Sequence, residues 1–260
     1  MNTKEIQLVD AGQKTTSLGE QIVVKFTKRY LGFVDNLIRE YVKDKPKETI
    51  NKDYKKLLIL EENWEVMRSD LDTLLQQLNT IVHYEDVDKR YARKDGNLKT
   101  QNKASWKIEQ FYLYGNQVER GIKRSQKTAS LIKNIPGKQT ALFSILQPGT
   151  HIKKHCGEYA GLLRYHLGLK VNDPSLCKLR VEDQIINWEE GKAFIFDHTL
   201  EHEAWNNSDS IRVILILDFI RKLPLHLSIL NRIGLQLLKR SKHIKQAVYT
   251  LENGPLAGTN

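Results

Sequence analysis

The sequence predicts an α+β chain, mainly β in its second half, with a sandwich or jelly roll of short strands set between helical segments at both ends. Three observations predict it. Apolar residues recur at spacings of three and four up to about residue 78, the period changes to two from Ala141 onward, and the helical period returns after residue 225.

The first helix is expected from Ser17 to Val42, where Ile22, Val23, Phe26, Tyr30, Leu31, Phe33, Val34, Leu37, Ile38 and Tyr41 form one amphipathic stripe, and it should end at the KDKPKE segment, Lys43 to Glu48. A second is expected from about Glu61 to Leu78, through Trp64, Met67, Leu71, Leu74, Leu75 and Leu78. Tyr84 to Lys107 is polar and poor in aliphatics and reads as a long loop, a candidate lid. Strands are expected at Ala141 to Gln147, Gly161 to Val171, Leu176 to Glu182, Lys192 to Asp197, Glu203 to Trp205 and Ile211 to Phe219. PGT, NDPS, WEEG and NNSDS punctuate them with the Gly, Pro, Asn, Asp and Ser that turns require. Leu225 to Leu251 is expected to be one amphipathic helix carrying Arg232, Lys239, Arg240, Lys242 and Lys245 and no acid. Three regions follow: an N-terminal helical extension (1–60), a strand-rich domain (61–224) and a basic C-terminal helix with a tail (225–260).

Of the 260 residues, 41 are Lys or Arg and 31 Asp or Glu, so the net charge of +10 favours an anionic partner without saying which. The longest aliphatic run, Val213 to Leu217, is far short of the roughly 20 residues that span a bilayer. MNTKEIQLVD lacks the apolar core of a signal peptide, and the two cysteines, Cys156 and Cys177, fit a reducing compartment. A cytoplasmic chain is expected. Its basic C-terminal helix would suit peripheral contact with the inner surface of an anionic membrane. The lysines and arginines match no nucleic-acid motif, and no specific nucleic-acid partner is expected.

Chemistry concentrates in the strand-rich half. Five of the eight histidines, His151, His155, His166, His198 and His202, fall in that half, and on strands folded over one another they suggest a metal site. Arg164 and His166, two apart on one strand, face the same side. Arg212 opens the last strand, where an inward guanidinium is costly unless it meets an anion.

A collinear set of motifs resembles the aspartyl/asparaginyl β-hydroxylase family of Fe(II)- and 2-oxoglutarate-dependent dioxygenases over roughly Leu58 to Pro224: NWEVMRSDL, SWKIEQFYLYG, KTASLIKNIPG, FSILQPGTHIKKHCG, LRYHLGL and WEEGKAFIFDHTLEHEAWNNSDSIRVILILDF. YAG followed by LRYHLGL is also similar to the lipid A and ornithine-lipid acyl-chain hydroxylases. The resemblance implies a double-stranded β-helix, a cupin-like jelly roll, flanked by helices. It implies His155 and His202 as iron ligands, with Gly157 where most of the superfamily carries a carboxylate, so that water completes the site. Ser144 and Arg212 would then hold the far carboxylate of 2-oxoglutarate, Arg164 and His166 would line its chelating end, and Trp106 would lie over the substrate side. No side chain beyond the metal centre acts catalytically in this reading, which takes Fe(II), 2-oxoglutarate and O2 and releases succinate and CO2 as it hydroxylates an unactivated C–H bond.

The peptide hydroxylases of the family carry a basic residue where Leu162 stands. An apolar residue on the substrate side is kinder to an acyl chain or a neutral small molecule, so the substrate stays open between an acyl lipid or small molecule and a peptidyl or free Asp or Asn. The alternatives are a non-catalytic barrel and a basic protein that binds anionic membrane surfaces.

Overall fold

The computed structural model describes residues 18–43, 54–88 and 106–253. The helices are α1 (Leu18–Val42), α2 (Leu58–Glu62), α3 (Trp64–Leu75), α4 (Tyr84–Val87), α5 (Glu119–Arg124), α6 (Gln126–Lys133), α7 (Leu225–Arg240) and α8 (Lys242–Asn253). The strands are β1 (Val82–His83), β2 (Trp106–Leu113), β3 (Asn116–Gln117), β4 (Lys138–Leu146), β5 (Thr150–His155), β6 (Leu162–Lys170), β7 (Cys177–Val181), β8 (Gln184–Asn187), β9 (Ala193–Phe196), β10 (His202–Asn206) and β11 (Arg212–Ile220).

The large sheet runs β1-β2-β4-β11-β6-β9, with β3 on β2, and the small sheet runs β5-β10-β7-β8. From β4 to β11 the chain passes repeatedly between the two sheets, and the described strands pair antiparallel. That winding is the double-stranded β-helix.

The central strands are covered on both sides, which is why they read as nearly continuous apolar runs. On β11, Val213, Leu215, Leu217 and Phe219 join the outer core with Met67 and Leu71 of α3 and Ile132 of α6. Ile214 and Ile216 face the other way, into the space between the sheets, with Leu142, Leu146, Trp188 and Phe196. A third cluster fastens the terminal helices to the mouth of the roll: Leu31, Val34 and Ile38 of α1 meet Leu235 and Leu238 of α7 over Tyr159, Ala160 and Leu162.

Three elements differ from expectation. The helix expected from Glu61 to Leu78 is two helices, broken at Asn63, whose backbone leaves the helical region at φ −119°. The single C-terminal helix is also two. Ser241 is extended and its hydroxyl accepts from the backbone N–H of Ile244 at 3.3 Å, so it ends α7 and caps α8. The stretch expected as loop includes the turn α4 and the first residues of β2, while the rest of the proposed lid, 89–105, lies outside the described residues.

Candidate functional site

β5 and β10 pair so that His155 stands opposite His202, with ring centroids 4.2 Å apart. Each Nδ1 bonds a backbone carbonyl two residues earlier, His155 to Lys153 and His202 to Leu200, both at 2.8 Å. A carbonyl only accepts, so each Nδ1 carries the hydrogen and each Nε2 keeps its lone pair. His202 Nε2 is buried without a partner. Burial holds His155 below the usual imidazole range, and burial followed by the neighbouring His155 pushes His202 down to about 3. Two facing neutral imidazoles, each with its Nδ1–H anchored on a carbonyl, are a donor set that suits a divalent transition metal through Nε2. Among the described residues no group of three or more His, Cys, Asp or Glu assembles that could hold an ion.

Gly157, where the resemblance removes a carboxylate, has a physical reason to be glycine. A Cβ there would lie 1.9 Å from Cδ2 of His198, and the Gly157 N–H donates to the His198 carbonyl at 2.7 Å. The His198 ring thus fills the space of a side chain at 157. It is buried, its Nδ1 has no partner, and burial lowers it to about 4. Sequence reading counted His198 in the cluster without giving it a role; an HCG facing a DHT was the available signal. His151 departs from the cluster: it stacks on Trp205 and bonds Glu203 through Nε2 at 2.9 Å. Asp197 is engaged by Arg221 at 2.5 Å and by the Thr199 backbone and hydroxyl.

Deeper between the sheets lies Arg212, 1% exposed. It stacks on Trp188 at 4.5 Å, and neither Nε nor Nη1 has a partner. Burial lowers its pKa to about 9, which still leaves it cationic at neutral pH. A buried cation without a carboxylate is a destabilising feature unless an anion joins it. Ser144 lies on the same face of the neighbouring strand, since Arg212 opposes Leu146 and Ile214 opposes Ser144. Its Oγ accepts from Trp106 Nε1 at 3.0 Å, leaving its own hydrogen to give. His166 accepts from Trp188 Nε1 at 3.4 Å through Nδ1, so Nε2 carries the hydrogen, buried and unpartnered. Burial, with Arg164 and Arg212 nearby, keeps His166 far below the usual range and neutral.

Arg164 forms a two-point ion pair with Asp218 at 2.7 and 2.9 Å. Burial raises Asp218, but the Arg164 guanidinium outweighs it and holds the carboxyl below its usual range. Arg164 and Asp218 line a cavity of about 150 Å3 together with Trp106, Ile108, Leu142 and Ile216, and its outer walls are Leu31 of α1, Leu238 of α7 and Ile244 of α8. Trp106 also stacks on Tyr84, with centroids 3.8 Å apart. Leu162, expected on the substrate side, is buried in the cluster beneath α1 and α7, where the terminal helices cover the start of β6.

The jelly roll thus holds a facing pair of histidines and a buried arginine whose Nε and Nη1 have no hydrogen-bond partner. Over residues 61–222 the sequence matches the aspartyl/asparaginyl beta-hydroxylase family, and the chain belongs to that family of hydroxylases. It is 37% identical over 166 residues to the ornithine lipid ester-linked acyl 2-hydroxylase of Rhizobium tropici, covering 63% of this chain and 57% of that protein. It is 32% identical over 179 residues to the aspartyl/asparaginyl beta-hydroxylase of Homo sapiens, covering 66% of this chain and 22% of that protein. The chain thus spans little more than half the length of the first and about a fifth of the second. A cupin domain from Schizosaccharomyces pombe aligns over 45% of this chain and 65% of that one at 9% identity and a TM-score of 0.31.

Proposed function

We propose that this chain is an Fe(II)- and 2-oxoglutarate-dependent hydroxylase acting on an acyl chain. The observation that carries the reading is the facing of two neutral histidines, anchored through Nδ1, together with a buried arginine that lacks an anion. His155 and His202 would hold the iron through Nε2. Arg212 and Ser144 would take the far carboxylate of 2-oxoglutarate, with the His166 Nε2–H and Arg164 toward the chelating end. When bound, iron and 2-oxoglutarate together supply the oxidant that places a hydroxyl on a C–H bond, with O2 consumed and succinate and CO2 released.

The chain's own residues bind, orient and keep water out. Trp188 fixes Arg212 from one side and His166 from the other, so two donors are held before any ligand arrives. Phe194 and Phe196 pack against His166, and Phe196 against His202, making that wall apolar. The Arg164–Asp218 pair is neutral as a unit and positions Arg164 near both metal-binding histidines, where its charge helps to keep them unprotonated.

Among the residues lining the cavity, Arg164 is the one Lys or Arg and is already paired, while Asp88 and Glu158 add carboxylates. Among the described residues that lining offers an aspartyl carboxylate no unpaired Lys or Arg, and its apolar part, Leu31, Ile108, Leu142, Ile216, Leu238 and Ile244, suits a hydrocarbon chain. The test is an anaerobic titration with Fe(II) and 2-oxoglutarate, read as the visible charge-transfer band of the chelate. The band should appear in the native chain, vanish in His202→Ala, and require far more 2-oxoglutarate in Arg212→Met while metal binding persists. No band at saturating Fe(II) would sink the reading, and succinate formation coupled to an aspartyl peptide rather than to acyl lipids would overturn the substrate.

A further inference from the structure

α1 and α7 cross over the mouth of the roll and leave an apolar face uncovered by any described residue. On α1, Ile22, Phe26 and Phe33 are 61, 60 and 57% exposed, and Leu37 continues their stripe at helical spacing. On α7, Leu225, Ile229 and Ile233, each four apart, are 78, 50 and 46% exposed. Tyr30 joins the two stripes. Its ring lies beside Phe26, centroids 6.3 Å apart, its hydroxyl donates to the Leu230 carbonyl at 3.0 Å, and its edge sits against Gly234, where a Cβ would be 3.4 Å away. A continuous exposed apolar surface of this kind marks an interaction site rather than a solvated helix face.

We infer that this α1–α7 face is a docking surface for an anionic phospholipid bilayer, seating the chain so that a lipid acyl chain reaches the cavity between the helices. The charge pattern chooses the occupant. From Leu223 to Leu251 the chain carries Arg232, Lys239, Arg240, Lys242 and Lys245 and no Asp or Glu, a cationic band on α7 and α8. Two copies of this chain would bring those bands together and repel; an anionic bilayer neutralises them while its interfacial region takes up the phenylalanines and isoleucines. The cavity supports the same direction, because Leu31, Leu238 and Ile244, on the three helices that form or flank this face, are also its outer walls. No described helix is long and apolar enough to cross a membrane, so contact through this face would be peripheral.

The delivery of an acyl chain rests on the hydroxylase reading above, whereas docking itself needs neither iron nor turnover. The experiment is flotation of the full chain with vesicles of phosphatidylcholine, with and without phosphatidylglycerol. The native chain should float with the anionic vesicles, less so as salt is raised, and hardly at all with neutral ones. Phe26→Glu combined with Ile233→Glu should weaken that binding by at least about tenfold. Both positions are exposed, so the thermal transition and the Fe(II)–2-oxoglutarate band should stay unchanged. Phe33→Glu with Ile229→Glu provides an independent pair should the first not fold. Native chain that ignores anionic vesicles, or variants that bind them as well as the native chain does, would overturn the inference. So would a native dimer in light scattering that the same substitutions split, since the face would then join two copies. Vesicle binding without a chelate band would leave docking intact and remove the hydroxylase reading; a band without vesicle binding would do the reverse.

Discussion

At the scale of single residues, the closest contact in the site is between the missing side chain of Gly157 and the ring of His198. The ring is buried and its carbonyl accepts from the Gly157 N–H, so it has little room to retreat. Gly157→Ala should therefore destabilise the chain by about 1–3 kcal/mol, the usual cost of overpacking. His198→Ala vacates the space the new methyl needs, and the double substitution should cost less than the two single changes added together. Urea unfolding of the four chains measures this directly. Strictly additive costs would mean that the ring does not occupy the place of a side chain at 157. Because the clash is with a ring rather than with backbone, Gly157→Asp with His198→Ala also asks whether a third carboxylate ligand can be installed, with metal affinity as the readout.

At the scale of elements, α7 is fastened to the loop before β6 by one buried side chain. Asn231 accepts from the Tyr159 hydroxyl at 2.8 Å and donates to the Gly161 carbonyl at 2.9 Å, and Asp35 of α1 accepts from the Ala160 N–H at 2.6 Å. The YAG segment is thus a hub to which both terminal helices are bonded. Asn231→Ala leaves the buried Tyr159 hydroxyl without its acceptor, while the Gly161 carbonyl keeps the Arg221 N–H at 3.1 Å; the change should cost about 1–3 kcal/mol in urea unfolding, whereas no measurable loss would show that other contacts hold α7. Partnership of this kind also explains which elements sequence could reveal. β6 and β11 are legible because apolar residues dominate them, with LLRYHLGL and VILIL broken only by site residues, and α1 because its stripe keeps one period. β2 was not, since WKIEQFYL mixes Lys107, Glu109 and Gln110 among its apolar residues. All three are buried through distant partners: Lys107 on the Leu78 carbonyl, Glu109 on Arg124, Gln110 on the Ala141 carbonyl. β5 was missed because THIKKH turns two lysines to solvent. In the site, His155, His202 and Arg212 could be singled out by residue type and resemblance. The Gly157–His198 contact and the Arg164–Asp218 pair join residues 41 and 54 positions apart, which no local pattern encodes, although an aspartate inside ILILDF was a hint of a buried partner.

At the scale of the whole molecule, the site makes the metal-free fold sensitive to acid. His155, His166, His198 and His202 are all held below the usual imidazole value, chiefly by burial, to about 4 for His198 and about 3 for His202. The unfolded chain binds those protons near pH 6.5 and the folded chain does not. Folded pKa values below unfolded ones mean stability that is fully present above about pH 6.5 and lost as pH falls toward 4. Each histidine contributes a slope of up to about 1.4 kcal/mol per pH unit across that window. His198 and His202 set the size of the loss, and His155 and His166 add to it in the same direction, against a total stability of about 5–15 kcal/mol for an ordinary domain. Asp218, held low by Arg164 despite its burial, adds its loss only below the ordinary carboxylate range. The metal-free chain should accordingly unfold between about pH 4 and pH 6, and substituting His198 by an apolar residue of similar size should move that midpoint downward. Metal binding should show the complementary behaviour. With Nε2 of both proposed ligands, His155 and His202, already unprotonated, Co(II) affinity of the folded chain should be flat between about pH 6 and pH 8, with no proton released in calorimetry across buffers of different ionisation enthalpy. Release of one or two protons per metal at pH 7 would show that the histidines are protonated before the metal arrives, and that anchoring Nδ1 on a carbonyl does not keep Nε2 unprotonated.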